Sequence, residues 1–458
     1  MRKPSKTPRG TSLEWLDARV NYERTPAAAN STATFSLARM RRLLHALGDP
    51  HLRCPVVHIA GTKGKGSTVT MIAAILAEAG HTVGSYLSPH VHRVEERIRL
   101  NGLPISPPEF AATLDIVVPA VERLDRAAVR RGQRGPTWFE VMTAMAFVHF
   151  AEQQVDVVVL ETGIGGRLDA TNVCDPLVTV ITSISFDHVK LLGPTITRIA
   201  AEKAGIIKRG CPIISGAKQP AARRVIAETA ARRRAPLLEL GRDFTVRPIA
   251  STVGPDRLAG EVFEFDRRDG TPPRRHALRL AGRHQAENAA LAIVAVEQLR
   301  RRGIAIDDTA IDRGLARATL AARIQTIATR PLTVVDAAHN VASMTALAAT
   351  LRPVLTTRAP RVLVVAASGD KQIEAMLRPL AGCFDHVIIT RYLENPRSAP
   401  LERLRAACTS AGLPAPREAA TPRAALAKAR SVAGAGGIVV VAGSFFLAAE
   451  VGGPRGDG

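Results

Sequence analysis

The chain has 458 residues, 46% of them apolar, with 62 basic against 41 acidic side chains and a formal net charge of +21. That apolar content excludes a disordered chain, and the length favours two or three domains over one core. The charge would suit an anionic partner. However, aromatic residues make up only 4% and show no interleaving with basic ones, so arginine-rich solvated helix faces such as 223–234 explain it better than nucleic-acid binding.

Residues 1–11 read as a disordered basic tail, not followed by the apolar core of a secretory signal. The longest apolar run, 438–451, is broken by Gly443 and Ser444 and falls short of a membrane span. The five cysteines (Cys54, Cys174, Cys211, Cys383, Cys408) contain no C-x-x-C pair, which suits reduced thiols and argues against a zinc site. A soluble cytoplasmic protein is expected, with no membrane contact.

Leu13–Leu47 carries helical spacing, interrupted near Pro26. The apolar run Val56–Ala60 then breaks into Gly61-Thr62-Lys63-Gly64-Lys65-Gly66-Ser67-Thr68, followed by a helical pattern over 69–79. Strand, glycine loop and helix make a phosphate cradle: backbone N–H groups turn inward and the helix N-terminus adds positive potential. Lys65 can reach terminal phosphates, and Ser67 can ligate Mg²⁺. The loop is a variant, because Ile59 stands where the strict pattern has its first glycine and Gly66 separates Lys65 from Ser67.

A short strand around 82–87 ends in Ser88-Pro89-His90, and helices are expected over 108–131 and 139–153. The buried-type run 157–160 ends in Glu161-Thr162-Gly163-Ile164-Gly165-Gly166, and the run 177–184 ends in Ser185-Phe186-Asp187-His188. A helix over 195–208 carries Glu202 and Lys203. Strands alternating with helices predict an α/β fold with a doubly wound, mostly parallel sheet, in which ligands sit at the carboxyl ends of strands. Glu161 and His188, with Ser67, could hold Mg²⁺, and Asp187 is an equally available hard ligand. Glu161 could equally cap or pair locally, and His188 could make a single hydrogen bond.

Residues 244–280 change to short β-type runs with Gly/Pro turns, read as an antiparallel edge or flap. A helix follows over 283–301, then a link near 313–322. A smaller α/β pattern restarts with strands at 332–335, 362–366, 386–390 and 438–442. The expected division is an ATP-binding domain over 12–318, P-loop-like, and a Rossmann-like domain over 319–458. No G-x-S-x-G elbow or based cysteine supplies a nucleophile. A nucleotide site without one leaves phosphoryl transfer, hydrolysis coupled to motion, or ligation through an acyl phosphate.

Taken in order, these motifs resemble folylpolyglutamate synthase/dihydrofolate synthase of the Mur ligase superfamily, over about residues 13–451. To the glycine loop and the motifs above are added Glu96-Arg97-Ile98, Asn101-Gly102, Thr137-Trp138-Phe139-Glu140 and Arg167-Leu168-Asp169-Ala170-Thr171-Asn172. Leu192-Gly193, Glu202-Lys203-Ala204-Gly205-Ile206, Gly282-Arg283-His284-Gln285, Asp336-Ala337-Ala338-His339-Asn340, Asn395-Pro396-Arg397 and Gly443-Ser444 complete the set. The resemblance implies a monomeric ATP-dependent ligase adding L-glutamate to dihydropteroate or to the γ-carboxylate of folates. Another Mur-type carboxylate–amine ligase is the alternative.

The resemblance also implies the site. Gly64, Lys65, Gly66, Ser67 and Thr68 would hold ATP phosphates, with Asn288, Arg323 and Asp336 contacting the nucleotide, the latter two from the interdomain side. Ser67, Ser88, Glu161 and His188 would hold two Mg²⁺ ions, and a monovalent cation such as K⁺ would be a further cofactor. Thr137, Trp138, Phe139, Glu140, Leu168, Asp169 and Ala170 would line the pterin and benzoate site, with Thr34–Ser36 as a further pterin contact. Lys203 would be carbamylated, and Lys65, Lys203 and His339 would serve the chemistry. Four positions depart from the family pattern. Lys63 replaces an asparagine, which adds a charge beside the phosphates, Ala321-Ala322 replace Pro-Gly before Arg323, and Ala337 replaces a glycine, which implies an ordinary backbone at 337.

Overall fold

The computed structural model describes residues 9–23, 35–254 and 257–452. The described residues through His90, with Val94–Thr245 and Ala290–Gly314, form one compact unit; Val91–Arg93, Val246–Ala289 and the residues from Leu315 form the other.

The first unit is built on an eight-stranded sheet. Its strands are β1 (Val56–Ala60), β2 (Val83–Tyr86), β3 (Ile98–Leu100), β4 (Leu103–Pro104), β5 (Val157–Glu161), β6 (Val178–Ile181), β7 (Ile213–Ser215) and β8 (Leu237–Glu239). Their order is β4-β3-β2-β5-β1-β6-β7-β8. The six strands from β2 to β8 in that order pair in parallel, while β3 and β4 add antiparallel at one edge. All five residues of β1 are buried, as are all five of β5. A strand covered on both faces needs a continuous apolar run, which is what these segments carry. Helices Pro107–Val129 and Trp138–Glu152 pack on one face around Tyr86, Val158 and Leu160. Helices Ile196–Ala204 and Pro220–Arg233 cover the other, around Ala60 and Ile181.

The second unit contains β9 (Thr245–Gly254, its first residue lying in the first unit), β10 (Arg257–Asp266) and β11 (Arg274–Leu278) in a three-stranded sheet. It also contains a six-stranded sheet of β12 (Gln325–Thr329), β13 (Leu332–Val335), β14 (Arg361–Val365), β15 (His386–Ile389), β16 (Arg417–Glu418) and β17 (Ile438–Ala442). The order there is β12-β13-β17-β14-β15-β16, parallel except for the β12–β13 pair. Its two faces are packed by separate apolar clusters.

The fold class is the expected one, with several local corrections. Residues 9–11 belong to a helix, Arg9–Asp17, so the basic tail is shorter than 1–11, and residues 1–8 lie outside the described residues. The stretch 244–280 is a sheet of its own rather than an edge of the large one. The presumed link is partly a helix, Asp308–Arg317. The Lys203 helix stops at Ala204 rather than 208, and the next residue, Gly205, packs so near Arg167 that a Cβ there would lie 2.4 Å from the Arg167 Cβ.

Candidate active site

β1 lies between β5 and β6 in the middle of its sheet, so the loop leaving its carboxyl end is framed by the ends of two neighbours. Gly61 has φ +153°, and a Cβ on it would sit 1.8 Å from the Thr182 hydroxyl, so this position accepts only glycine. Gly64 has φ +89° and caps the helix Lys65–Glu78. Lys65, Gly66 and Ser67 are therefore the first three residues of that helix, where backbone N–H groups have no intrahelical acceptor. The Thr68 hydroxyl donates to the Gly64 carbonyl (3.0 Å), which ties the loop to the helix. Thr62 N donates to Ser183 O (2.7 Å) and the Thr62 hydroxyl to Ser185 O (3.2 Å), which ties it to the end of β6.

A cleft opens there, lined by Gly61, Thr62, Lys65, the Gly163–Gly165 loop, Asp187, His188, Leu192 and Lys203. Lys65 Nζ lies 3.6 Å from Glu161 Oε1, and Glu161 Oε2 accepts from Ser88 N (3.1 Å). Lys203 is buried and donates to the Gly61 carbonyl (2.7 Å). Burial first, then the Lys65 charge, pushes its pKa down to about 7, with Asp187 opposing. A lysine in this state offers a neutral amine near physiological pH. Asp187 is paired with Lys63 (2.9 Å) and is adjacent to His188, whose backbone is left-handed at φ +49° and whose ring is half-exposed.

The donor set fits magnesium. Glu161, Ser67 and Ser88 offer oxygens, Glu161 lying beside Lys65 and the Ser88 backbone, and His188 lines the cleft that Lys65 also lines. Among the described residues no group of three or more His, Cys, Asp and Glu could hold a metal ion.

The segments expected to line the acceptor site converge on the Gly163–Gly165 loop. The Phe139 ring lies 2.6 Å from where a Gly163 Cβ would stand. Asp169 Oδ2 accepts from Gly163 N (2.9 Å) and Ile164 N (3.0 Å), while Oδ1 accepts from the Thr171 backbone and hydroxyl. Since the Thr171 proton goes to Asp169, the buried His58 must donate from Nε2 to Thr171 Oγ1 (2.8 Å). Its bare Nδ1 then faces no partner among the described residues, and burial pushes its pKa down to about 3. Thr137 and Glu140 cap the helix Trp138–Glu152 reciprocally, and Glu140 also receives Arg39 (2.8 Å). Trp138 is buried beneath the Arg97 guanidinium, 4.6 Å from its ring centre. Leu168 and Ala170 flank Asp169 in the same turn, half-buried and buried. Thr34 lies outside the described residues; Ser36 precedes the helix Leu37–Ala46 as its N-cap.

In the second unit Arg323, Asp336 and His339 gather at the end of β13. Arg323 stands between two left-handed residues, Ala322 (φ +54°) and Ile324 (φ +47°). Asp336, buried, accepts from Ile324 N (2.9 Å) and Ala338 N (2.7 Å). Phe445 lies under both the Arg323 guanidinium (5.2 Å) and the His339 ring (5.4 Å). His339 Nδ1 donates to the Ala337 carbonyl (2.8 Å), which leaves Nε2 outward. His284, pushed down to about 4 by burial and the Arg323 charge, joins this corner. Asn288 is on a separate helix, Arg283–Arg300, bonded to Gln285 (3.0 Å). Ala337 has an ordinary backbone, as expected. Sequence reasoning missed Phe445, which adjoins the Gly443-Ser444 motif, and quoted His284 within Gly282-Arg283-His284-Gln285 without giving it a role.

Residues 131–296 match the Mur ligase middle domain, and residues 322–445 match the Mur ligase glutamate ligase domain. The chain is therefore a Mur-type ligase in class. A "Dihydrofolate synthase/folylpolyglutamate synthase" of Bacillus subtilis is 40% identical over 389 residues, 84% of this chain and 85% of that one. One of the same name from Mycobacterium tuberculosis is 38% identical over 81% of this chain and 76% of its own. The crystal structure of a Mycobacterium tuberculosis folylpolyglutamate synthase complexed with ADP and AMPPCP superposes with TM-score 0.84 at 33% identity, covering 97% of this chain and 98% of that one. An E. coli relative solved with DHPP and ADP gives TM-score 0.81 at 30% identity, covering 98% and 97%. The chain belongs to the folylpolyglutamate synthase/dihydrofolate synthase family. No helix among the described residues is long and apolar enough to cross a membrane.

Proposed function

We propose that this ATP-dependent ligase joins L-glutamate to dihydropteroate, to the γ-carboxylate of folates, or to both. The observation that carries the reading is one cleft holding the glycine loop, Lys65, Glu161 and a low-pKa Lys203, with the Phe139 and Asp169 segments bracing its Gly163 wall. An acceptor carboxylate oxygen takes the γ-phosphoryl group of ATP, giving an acyl phosphate and ADP. The glutamate amine then attacks the acyl carbon, phosphate leaves, and the amine gives up a proton. Lys65 and the helix N-terminus neutralise charge that grows on the transferring group. Bound Mg²⁺, held by Ser67, Ser88, Glu161 and His188, would supply further neutralisation.

Lys203 in its neutral form can capture CO₂, which turns a cation beside the metal ligands into an anionic oxygen donor. The bland alternative is a surface lysine paired with Glu202 or a neighbouring acid; against it, Lys203 is buried on the Gly61 carbonyl and Glu202 binds Arg167 (2.8 Å). Asn288, Arg323 and Asp336 serve the nucleotide, His339 works beside them, and Thr137–Glu140 with Leu168–Ala170 serve the pterin and benzoate end. A monomeric, cytoplasmic enzyme follows from the same family reading, and a role for K⁺ rests on the resemblance alone.

Phosphate release measured with dihydropteroate, tetrahydrofolate or UDP-muramoyl substrates, each with and without L-glutamate, tests the reading. Release that needs a pteroyl acceptor plus glutamate is expected. Release with a UDP-muramoyl acceptor would assign the chain to another Mur-type reaction, and release stimulated by nucleic acid alone would overturn ligation.

A further inference from the structure

Lys63 stands two residues before Lys65, and the expected site leaves it without a role. Its carbonyl is pinned by the hydroxyls of Thr182 (2.7 Å) and Ser183 (3.2 Å), so the backbone is fixed there while the side chain extends from it. The ammonium reaches Asp187 Oδ2 at 2.9 Å. Asp187 lines the cleft with Lys65 and Lys203, so Lys63 brings a third ammonium to the same opening. Its side chain keeps 25% of its surface exposed, against 11% for Asp187.

A triphosphate entering this cleft brings roughly three to four negative charges. It repels Asp187 and attracts Lys63. A lysine ammonium on a four-carbon stem is a mobile point charge and can exchange one anionic partner for another without moving the backbone.

We propose that Lys63 is a second phosphate-binding lysine, held in reserve by Asp187 in the nucleotide-free protein and handed to the nucleotide on binding. The proposal rests on reading the cleft as the nucleotide site. Asp187 thereby competes with the nucleotide for Lys63, so the two partners of one ion pair have opposite effects on affinity. A pair that merely braces the loop would give both the same sign.

The test is calorimetric binding of ADP to the full chain in EDTA, which removes any contribution of Asp187 through a metal. Wild type, Lys63→Met, Lys63→Arg, Asp187→Asn and the Lys63→Met/Asp187→Asn double variant are compared, with melting curves confirming that each is folded. Lys63→Met should weaken binding about tenfold, the loss of one charge-assisted hydrogen bond, and Lys63→Arg should recover most of it. Asp187→Asn should tighten binding several-fold, and the same change made on Lys63→Met should tighten it clearly less, since only direct repulsion of the nucleotide is then relieved. Asp187→Asn that weakens binding or leaves it unchanged overturns the proposal, as does Lys63→Met with wild-type affinity. Wild type that binds no ADP at all would instead remove the nucleotide reading of the cleft, a distinguishable failure.

Discussion

The loop leaving β1 and the turn that enters β12, tied to the end of β13, each combine left-handed backbone with a basic residue, but they are built from different materials. At β1 the turn residues are Gly61 and Gly64, with φ of +153° and +89°, and the charges are balanced by ion pairs across the cleft. At β13 the left-handed residues are Ala322 and Ile324, and the buried carboxylate of Asp336 holds Ile324 there by its N–H. Glycine adopts these angles at no steric cost, whereas an alanine or isoleucine must be held. The first corner is therefore relaxed in backbone and tuned by charge. The second stores strain and depends on one acid.

The largest expected effect is at the charge-tuned corner. Lys65→Ala should lower turnover by about 10²–10³-fold, the loss of one preorganised charge on the transferring group, with melting unchanged. Turnover near wild type would remove Lys65 from the phosphate site. Lys203→Ala should also lose most activity. In CO₂-depleted buffer the wild type should lose activity and regain it on adding bicarbonate. The sign with pH follows from a pKa lowered to about 7: the neutral, CO₂-reactive amine is about half the population there and grows above it. At a fixed concentration of dissolved CO₂, reactivation should accelerate as pH rises through 7 and slow below it. A rate independent of pH between 6 and 8 would contradict this.

At the strained corner the effects are on stability. Asp336→Ala leaves the Ile324 and Ala338 N–H groups buried without their acceptor, at about 1–3 kcal/mol each. Denaturant melting should show the loss, with weaker ATP binding alongside. Ala322→Gly should do the opposite on a smaller scale. Relief of about 1–2 kcal/mol of left-handed strain, less the extra entropy glycine loses on folding, leaves a net gain of about 0.5–1 kcal/mol. A stability loss in Ala322→Gly would show that the backbone there is not strained.

The same contrast decides what could be read from residues alone. Glycine spacing around Lys65 and the apolar runs of β1, β5 and β6 are local signals, and they located the glycine loop and the central strands, β1 and β5 within a residue and β6 with its end at 181 rather than 184. At the strained corner the signal was only comparative: Ala322 stands where the family resemblance has glycine, and nothing in its own pattern marks φ +54°. Its cause is long-range: Asp336 lies twelve positions beyond Ile324, and Phe445 over a hundred beyond Arg323. Short edge strands such as β4 and β16, two residues each, were illegible because their pairing partner rather than their own pattern makes them strands. Asp169 was marked as a substrate residue from its motif. That its oxygens are spent on the Gly163–Ile164 loop and on Thr171 emerges only from the packed turn.

The central claim is that the β1 cleft transfers phosphate to an acceptor carboxylate before the amide forms. Dihydropteroate labelled with ¹⁸O in its carboxylate, incubated with ATP, Mg²⁺ and L-glutamate, tests this directly. One ¹⁸O per amide formed should be recovered in the released phosphate. Amide formation with unlabelled phosphate would contradict the account.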